Sequence, residues 1–118
     1  MTAAAGLDVA SVTRRYSFTA LQDGRQGPEW DCFVTVYGTI DPVTGMVTDI
    51  GILNRLVQEK VVQTFDRHEL HQVLGTQPVT GEQLVEHIWK QLASSLSSGR
   101  LANVRLVQSR DLSFEYAG

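Results

Sequence analysis

The stretch from Cys32 to Thr64 constrains the fold of this chain more than any other part of it. It holds two extended runs that meet at a turn, 41–45, and an apolar pattern of helical spacing that follows Asp49. Pro42 sets its own φ, and Gly45 can take the positive φ of a tight reversal. Asp49 is a residue type favoured at a helix N-cap. The stretch predicts, in chain order, a strand over 32–40, the turn, a return strand over 46–48 and a helix over 50–64.

Further extended segments are predicted on both sides of this stretch. Residues 7–21 alternate in polarity and predict a long strand, whereas 22–31 holds two glycines, a proline and three acids and predicts a loop. Gly38 indicates a bulge or a close approach between backbones. The runs NVRLVQ and LSFEY predict a final hairpin around 109–111. Residues 1–6 are small and are expected to form a flexible tail ahead of one domain over 7–118.

A second helix has a clear predicted start at Thr80. Thr80 and Gln83 have the spacing of a capping box, and Val79 can pack on Leu84 as a hydrophobic staple. The apolar stripe of this helix consists of Leu84, Ile88, Leu92 and Leu96, with Trp89 beside it.

This order of elements predicts an α+β domain, in which two helices pack on one face of an antiparallel four-stranded sheet. Such a sheet has two edge strands, and natural proteins pair, cover or charge their edges. An oligomer that joins sheets edge to edge would satisfy this requirement.

Composition narrows the classes of function. The net charge is -3 and no basic run is longer than Arg14-Arg15, which disfavours nucleic-acid binding because that depends on clustered cations. Cys32 is the only cysteine, so it cannot form an intramolecular disulfide, and we expect a buried structural thiol. The start, MTAAAGLD, lacks a charged signal region, and no apolar window approaches the length of a bilayer. We expect a cytoplasmic protein with no membrane or nucleic-acid partner.

Five segments, in chain order within 15–116, resemble the motifs of one enzyme family. They are YSFTAL (its first-strand Phe-Ser-Ala-Ala), GTIDPVTGMVTDIGILNRLV (its strand-turn-strand-helix unit), FDRHEL (its Leu-Asp-His-x-x-Leu-Asn), VTGEQLVEHIWKQL (its Pro-Thr-x-Glu-x-Leu-Ala helix start) and RLVQS (its Val-x-Glu-Thr strand end). The chain thus resembles the 6-pyruvoyltetrahydropterin synthase and 6-carboxytetrahydropterin synthase family. The resemblance implies a tunnelling fold whose subunits form a β-barrel, as a hexamer, trimer or tetramer, with a small-molecule site at the subunit boundary.

That family holds zinc with three histidines and uses a catalytic cysteine. The resemblance places the histidine positions on Gln22, Gln26 and Pro28, with Gly27 between the last two. Two amides and a proline cannot replace imidazoles as zinc ligands, so we expect no metal and no cofactor. The segment that would hold the cysteine is shortened to 23–25 and has none.

The remaining family positions imply the other site residues. In FDRHEL the aspartate of an Asp-His pair is kept as Asp66, Arg67 replaces the histidine, and His68 follows; an Asp-His relay re-forms only if the backbone turns His68 inward. Gln108 stands where a glutamate anchors the pterin. Thr80 and Glu82 match the family's residues at the helix start, although a cap and a favourable helix-dipole charge also explain them.

The first functional hypothesis is a repurposed, metal-independent lyase, cyclase or isomerase, using acid-base chemistry on a small polar or cyclic metabolite of a specialised biosynthetic pathway. Its candidate catalytic residues are Asp66, Arg67, His68 and Glu69, with His71 as a further proton carrier. Its candidate substrate-binding residues are Gln22, Gln26, Thr80, Glu82 and Gln108.

Two alternatives accompany this hypothesis. The first is a non-catalytic binding or scaffold homologue, which a pocket filled by Trp30, Phe33 or Tyr37 would favour. The second is a pterin synthase with substitute zinc ligands. A pocket with uncompensated charge would favour catalysis.

Overall fold

The computed structural model describes residues 8–118. The predicted tail, 1–6, and Leu7 lie outside the described residues. Four strands form one antiparallel sheet in the order β1-β2-β3-β4, which confirms the predicted fold class. The strands are β1 (Val9–Gln22), β2 (Arg25–Thr39), β3 (Arg100–Ser109) and β4 (Leu112–Tyr116).

The helices occupy the segment between β2 and β3. Asp49 caps the first of them, as predicted, because its Oδ1 accepts a hydrogen bond from Ile52 N at 3.1 Å. The predicted 50–64 helix is present, but its middle turn is π-helical. The helical segments are α1 (Ile50–Val57), the π-helix Gln58–Val62, α2 (Gln63–Phe65), α3 (Leu70–Leu74) and α4 (Gly81–Ala93). No helix in the described part of the chain is long and apolar enough to cross a membrane.

One face of the sheet carries the core. Alternate residues of the three long strands point to this face, as the period of two in a strand requires, and the helices cover it. The buried strand residues are Tyr16, Phe18, Ala20, Trp30, Cys32, Val34, Val36, Val104 and Leu106. The buried helix residues include Leu53, Val57, Val61, Phe65, Leu70, Leu84, Val85, Ile88 and Leu92.

The predicted loop over 22–31 is wrong. β1 and β2 are joined by a two-residue turn, Asp23-Gly24, and β2 already begins at Arg25. Asp23 and Gly24 have φ values of 54° and 76°, the positive pair that an Asp-Gly hairpin turn adopts. This turn matches the twist of the flanking strands, so the polar, glycine-containing segment after it continues the ladder as a strand.

The predicted return strand over 46–48 is also wrong. β2 pairs with β1 as far as Thr39 and with β3 as far as Tyr37, so both of its edges are already occupied. The turn itself forms, with Gly45 at a φ of 76° and Gly45 N donating to Asp41 O at 2.7 Å. Gly38 is a close approach, as expected, because a β-carbon there would lie 3.3 Å from Val47 Cγ1.

Candidate functional site

The segment 66–69 lies along the outer edge of β1 near the β1–β2 turn. Arg67 N donates to Thr19 O at 2.8 Å, and Leu21 N donates to His68 O at 2.9 Å. These bonds pair the segment with the end of an edge strand, which covers that part of the edge. They also bring the residues predicted from FDRHEL close to those predicted from the start of β2.

Asp66, Arg67 and Gln26 share one polar cavity. The half-buried Asp66 uses Oδ1 to accept a hydrogen bond from Thr19 N at 2.8 Å, and Arg67 takes a left-handed φ of 62°. A carboxylate, a guanidinium and an amide therefore meet in a space of about 210 Å³, which we call the Asp66 cavity. It is lined by Thr19, Leu21, Gln26, Asp66 and Arg67.

The imidazole of His68 bonds to the backbone oxygen of Asp66, whereas the carboxylate of Asp66 accepts from Thr19 N. This imidazole is exposed, and Nδ1 lies 2.8 Å from the backbone oxygen of Asp66. The backbone does not turn His68 inward in this conformation, so the two side chains do not form a relay.

Glu69 and His71, which flank Leu70 in the chain, form a second group. Glu69 Oε1 accepts a hydrogen bond from Gly24 N, and Glu69 Oε2 lies 3.3 Å from His71 Nδ1. The side chains of Glu69 and His71 are 14% and 31% exposed. His71 lines a cavity of about 70 Å³, which we call the hairpin cavity. Its lining residues are Gln22, Asp23, Leu70, His71, Gln77, Pro78 and Val79.

Sequence reasoning missed the two other polar residues of the hairpin cavity, Asp23 and Gln77. Gln77 Nε2 donates to Asp23 Oδ1 at 3.1 Å, which joins the β1–β2 turn to the segment before α4. The Asp23-Gly24 dipeptide is a hairpin signal and could have identified the turn. Gln77 carries no comparable signal in the sequence.

The other predicted substrate-binding residues are spread over the molecule. Thr80 is an N-cap: its Oγ1 accepts from Gln83 N at 3.1 Å and its N donates to Gln83 Oε1 at 3.0 Å, the predicted capping box. Glu82 lines a groove of about 380 Å³ between α4 and β4. Gln108 is half-buried near the end of β3. Glu82 therefore lines a different space from Asp66 and from His71.

The residues that the resemblance places at the family's zinc positions carry none of the usual zinc donors. Gln22 and Gln26 offer neutral amides and Pro28 offers no donor atom in its side chain, whereas zinc sites use imidazole, thiolate or carboxylate. Gln22 also folds over Gly27, where a β-carbon would lie 3.0 Å from Gln22 Oε1. Within residues 8–118, no group of three or more His, Cys, Asp or Glu side chains could hold a metal ion.

Burial shifts the pKa of two titratable side chains that lie outside the Asp66 cavity and the hairpin cavity. Cys32 is fully buried, and desolvation by burial raises the pKa of its thiol to about 12. Burial lowers the pKa of His87, which packs edge-on against the Phe65 ring. The burial of Cys32 agrees with the structural thiol expected from the sequence.

A four-stranded antiparallel sheet with helices on one face and polar cavities at its hairpin end defines an α+β protein of the tunnelling-fold type. The sequence model of the family described as 6-pyruvoyl tetrahydropterin synthase matches residues 26–118, and the chain belongs to this family.

Individual relatives agree with this membership. The 6-pyruvoyl tetrahydrobiopterin synthases of Pongo abelii and Homo sapiens are each 30% identical to this chain over 95 residues. The match covers 78% of this chain and 66% of each relative, slightly less than two thirds of their length.

Solved structures agree on the fold. The 6-pyruvoyl tetrahydropterin synthase of Caenorhabditis elegans superposes with a TM-score of 0.85 at 21% identity, over 94% of this chain and 96% of that one. A catalytic-residue mutant of the Plasmodium vivax enzyme superposes with a TM-score of 0.71 at 13% identity, over 92% of this chain and 97% of that one.

Proposed function

We propose that this protein is a lyase, cyclase or isomerase of the pterin-synthase family that works without a metal ion. Its single domain over 7–118 would act by acid-base chemistry on a small polar or cyclic metabolite in a specialised biosynthetic pathway. Asp66, Arg67, His68 and Glu69 are its proposed catalytic residues. Gln22, Gln26, Thr80, Glu82 and Gln108 are its proposed substrate-binding residues.

One observation carries this proposal. Asp66, Arg67 and Gln26 line one cavity. The resemblance places the metal and acid-base groups of family members at this part of the chain. A carboxylate can take a proton, and a guanidinium and an amide can bind and orient an oxygen-rich substrate. Such groups supply proton transfer and positioning from side chains alone, and the amides at the zinc positions provide no metal donors.

The first experiment tests metal independence on the purified full chain. Elemental analysis should find substoichiometric zinc, and treatment with a chelator should leave turnover unchanged. The assay measures formation of 6-pyruvoyl tetrahydropterin and depletion of a panel of reduced pterins. Stoichiometric zinc whose removal abolishes turnover would overturn the proposal in favour of a zinc-dependent pterin synthase.

The second experiment tests Asp66. The Asp66→Asn variant keeps an oxygen that can accept the hydrogen bond from Thr19 N, so the fold should be retained while the charge is lost. We expect turnover to fall about 100-fold, as for the removal of a general acid or base. Asp111→Asn, in the exposed β3–β4 turn, is the matched control and should behave like wild type. Equal rates in all three proteins would remove Asp66 from the mechanism.

A second candidate function is a non-catalytic small-molecule-binding or scaffold homologue. It is supported by the use of Asp66 Oδ1 and the His68 ring in hydrogen bonds to the backbone, which are structural roles. Trp30 does not favour it, because this side chain packs in the core against Phe114 instead of filling either cavity. Saturable pterin binding with no turnover would identify this alternative.

The active form is proposed to be a homo-oligomer, a hexamer, trimer or tetramer, with the site at the subunit boundary. β1 and β4 are the edge strands of the sheet, and the segment 66–69 covers β1 only near Thr19 and Leu21. Because the Asp66 cavity lies at that covered end of β1, a partner paired along the rest of the edge would lie next to it.

A further inference from the structure

The carboxylate of Glu69 contacts the imidazole of His71, and of these two side chains only His71 lines the hairpin cavity. Glu69 Oε2 is shielded from solvent, receives no hydrogen bond from residues 8–118, and lies 3.3 Å from His71 Nδ1. The order of groups is therefore carboxylate, imidazole, cavity.

The environment of Glu69 favours a proton on Nδ1 of His71. A buried carboxylate oxygen without a donor is unfavourable, and a small rotation of the imidazole lets Nδ1–H supply that donor. With the proton on Nδ1, the neutral ring carries its free electron pair on Nε2. Nε2 is then the nitrogen that can accept a proton from a ligand.

The backbone around the pair restrains it from two sides. Gly24 N holds the other oxygen of Glu69 from the β1–β2 turn, and the buried Leu70 anchors the start of α3 between the two side chains. Leu21 and Glu69 also form a parallel bridge between β1 and this segment. A carboxylate fixed in this way can orient the ring without contacting the ligand itself.

The lining of the hairpin cavity indicates what it can bind. Gln22 and Gln77 carry amides that both donate and accept, and Asp23 is the one carboxylate among the lining residues. A space of about 70 Å³ is far smaller than the pockets of about 300–1,000 Å³ that hold whole small-molecule ligands. It fits a short hydroxyl- or carbonyl-bearing substituent of a ligand, and the ring system of that ligand would lie outside.

We propose that His71 is a further catalytic residue, which exchanges a proton with such a substituent. Glu69, named above among the proposed catalytic residues, then takes part by positioning His71 and does not contact the substrate itself. This inference rests on the proposed catalytic function. In the step, the substrate's C–H or O–H bond breaks, its electron pair stays on the substrate, and a new N–H bond forms at His71 Nε2. The imidazolium then returns the proton to another substrate atom, which restores the neutral ring. No electron donor or acceptor is needed.

The first test reads the tautomer of His71 directly and does not depend on activity. In long-range ¹H–¹⁵N spectra of the wild-type protein above neutral pH, His71 should carry its proton on Nδ1. In Glu69→Gln the tautomer should change toward the Nε2–H form, whereas Glu59→Gln, on an exposed helical position, should leave it unchanged. An Nε2–H tautomer in the wild type would overturn the positioning role of Glu69.

The second test measures turnover of the reduced pterin panel. We expect His71→Gln to lose about 100-fold or more in kcat and Glu69→Gln to lose less, in the range of general acid-base effects. His87→Gln is the control histidine, since His87 packs against the Phe65 ring and lines neither the hairpin cavity nor the Asp66 cavity. An active wild type with an equally active His71→Gln overturns this inference alone. A wild type that turns over no reduced pterin instead overturns the proposed function for pterin substrates and, with it, the catalytic role of His71 on them.

Discussion

At the scale of single residues, several polar side chains near the cavities accept hydrogen bonds from backbone N–H groups. Asp66 accepts a hydrogen bond from the backbone of β1, Glu69 accepts one from the β1–β2 turn, and Thr80 caps α4. Removing such a side chain therefore changes local structure as well as chemistry. The sharpest substitutions are those that keep the hydrogen bond and change only the charge, such as Asp66→Asn.

Cys32 gives a prediction about reactivity. Its pKa of about 12 keeps the thiol protonated at pH 8, where a free thiol of pKa about 8.5 is partly ionised. Because only the thiolate attacks, we expect labelling by a disulfide reagent to be at least on the order of 10³ slower than for a free thiol. The reaction should go to one thiol per chain once the protein is unfolded.

The exposed position Ser17, on the opposite face of the sheet, provides the control for this experiment. A Ser17→Cys variant should react rapidly at one site in the native state. Rapid labelling of Cys32 itself in the folded wild type would contradict the assignment of a buried structural thiol.

Thr80 gives a prediction that separates a cap from a ligand-binding hydroxyl. Its side chain accepts a hydrogen bond from Gln83 N, so Thr80→Ala should lower the free energy of unfolding by about 1 kcal/mol. Thr80→Ser keeps a hydroxyl that can cap the helix, so its free energy of unfolding should stay close to that of the wild type. Chemical denaturation measures both values. Unchanged stability of Thr80→Ala would argue that the capping bond contributes little and would strengthen the case for a role in binding.

At the scale of elements, α4 packs so closely on β4 that the contact leaves no room for a side chain at Gly81. A β-carbon at Gly81 would lie 2.3 Å from Cε2 of the Phe114 ring, far inside van der Waals contact. Phe114 also packs against Trp30, with ring centroids 6.3 Å apart. The first residue of α4 must therefore be small for the helix to reach the sheet.

We expect Gly81→Ala to destabilise the protein by about 1–3 kcal/mol, because Phe114 must move to admit the methyl group. A double-mutant cycle in urea isolates this cause. In a Phe114→Ala background the same change should be neutral or stabilising, because alanine favours the helix over glycine. Equal destabilisation in both backgrounds would show that the ring is not the reason.

At the scale of the whole molecule, the chain is elongated along its long hairpin. The radius of gyration is 15.9 Å, against about 13.5 Å for an average domain of this length, and the extents are 59 × 26 × 22 Å. The face of the sheet opposite the helices carries polar cross-strand pairs, including Thr13 with Thr35 and Ser17 with Asp31. A long edge strand and a polar second face fit the proposed oligomer better than a monomer.

The geometry of β1 provides a test of that oligomer. Both backbone groups of Thr19 point away from β2, toward the segment 66–69, and alternation in an antiparallel pair gives Arg15 the same outward direction. Arg15→Pro should therefore remove an outward N–H without removing a bond within the sheet. We expect it to shift the mass in solution from a multiple of 13.0 kDa toward one chain.

Arg15→Ala is the control and should keep the wild-type mass, and circular dichroism should show that both variants are folded. Light scattering coupled to gel filtration measures the mass. An unchanged oligomer in a folded Arg15→Pro protein would exclude pairing through this part of β1.

The sequence alone determined the features that depend on near neighbours in the chain. Asp49 and Thr80 were recognisable as helix caps, the alternation around Cys32 and Val34 gave the buried face of β2, and five motifs in order gave the family. Each of these follows from a period of two or 3.6 residues, or from a side chain that bonds within three residues of itself. The Asp23-Gly24 hairpin signal is also present in the sequence, but the polar composition around it predicts a loop.

Only the tertiary structure decided which residues meet at the candidate site. Met46 to Thr48 could not join the sheet because β2 already had a neighbour on each edge. His71, and not His68, came to lie at a cavity with Glu69 behind it, because the bonds of residues 67 and 68 to β1 fix the direction of each following side chain. Such pairings depend on contacts between residues more than 40 positions apart, and no local pattern encodes them.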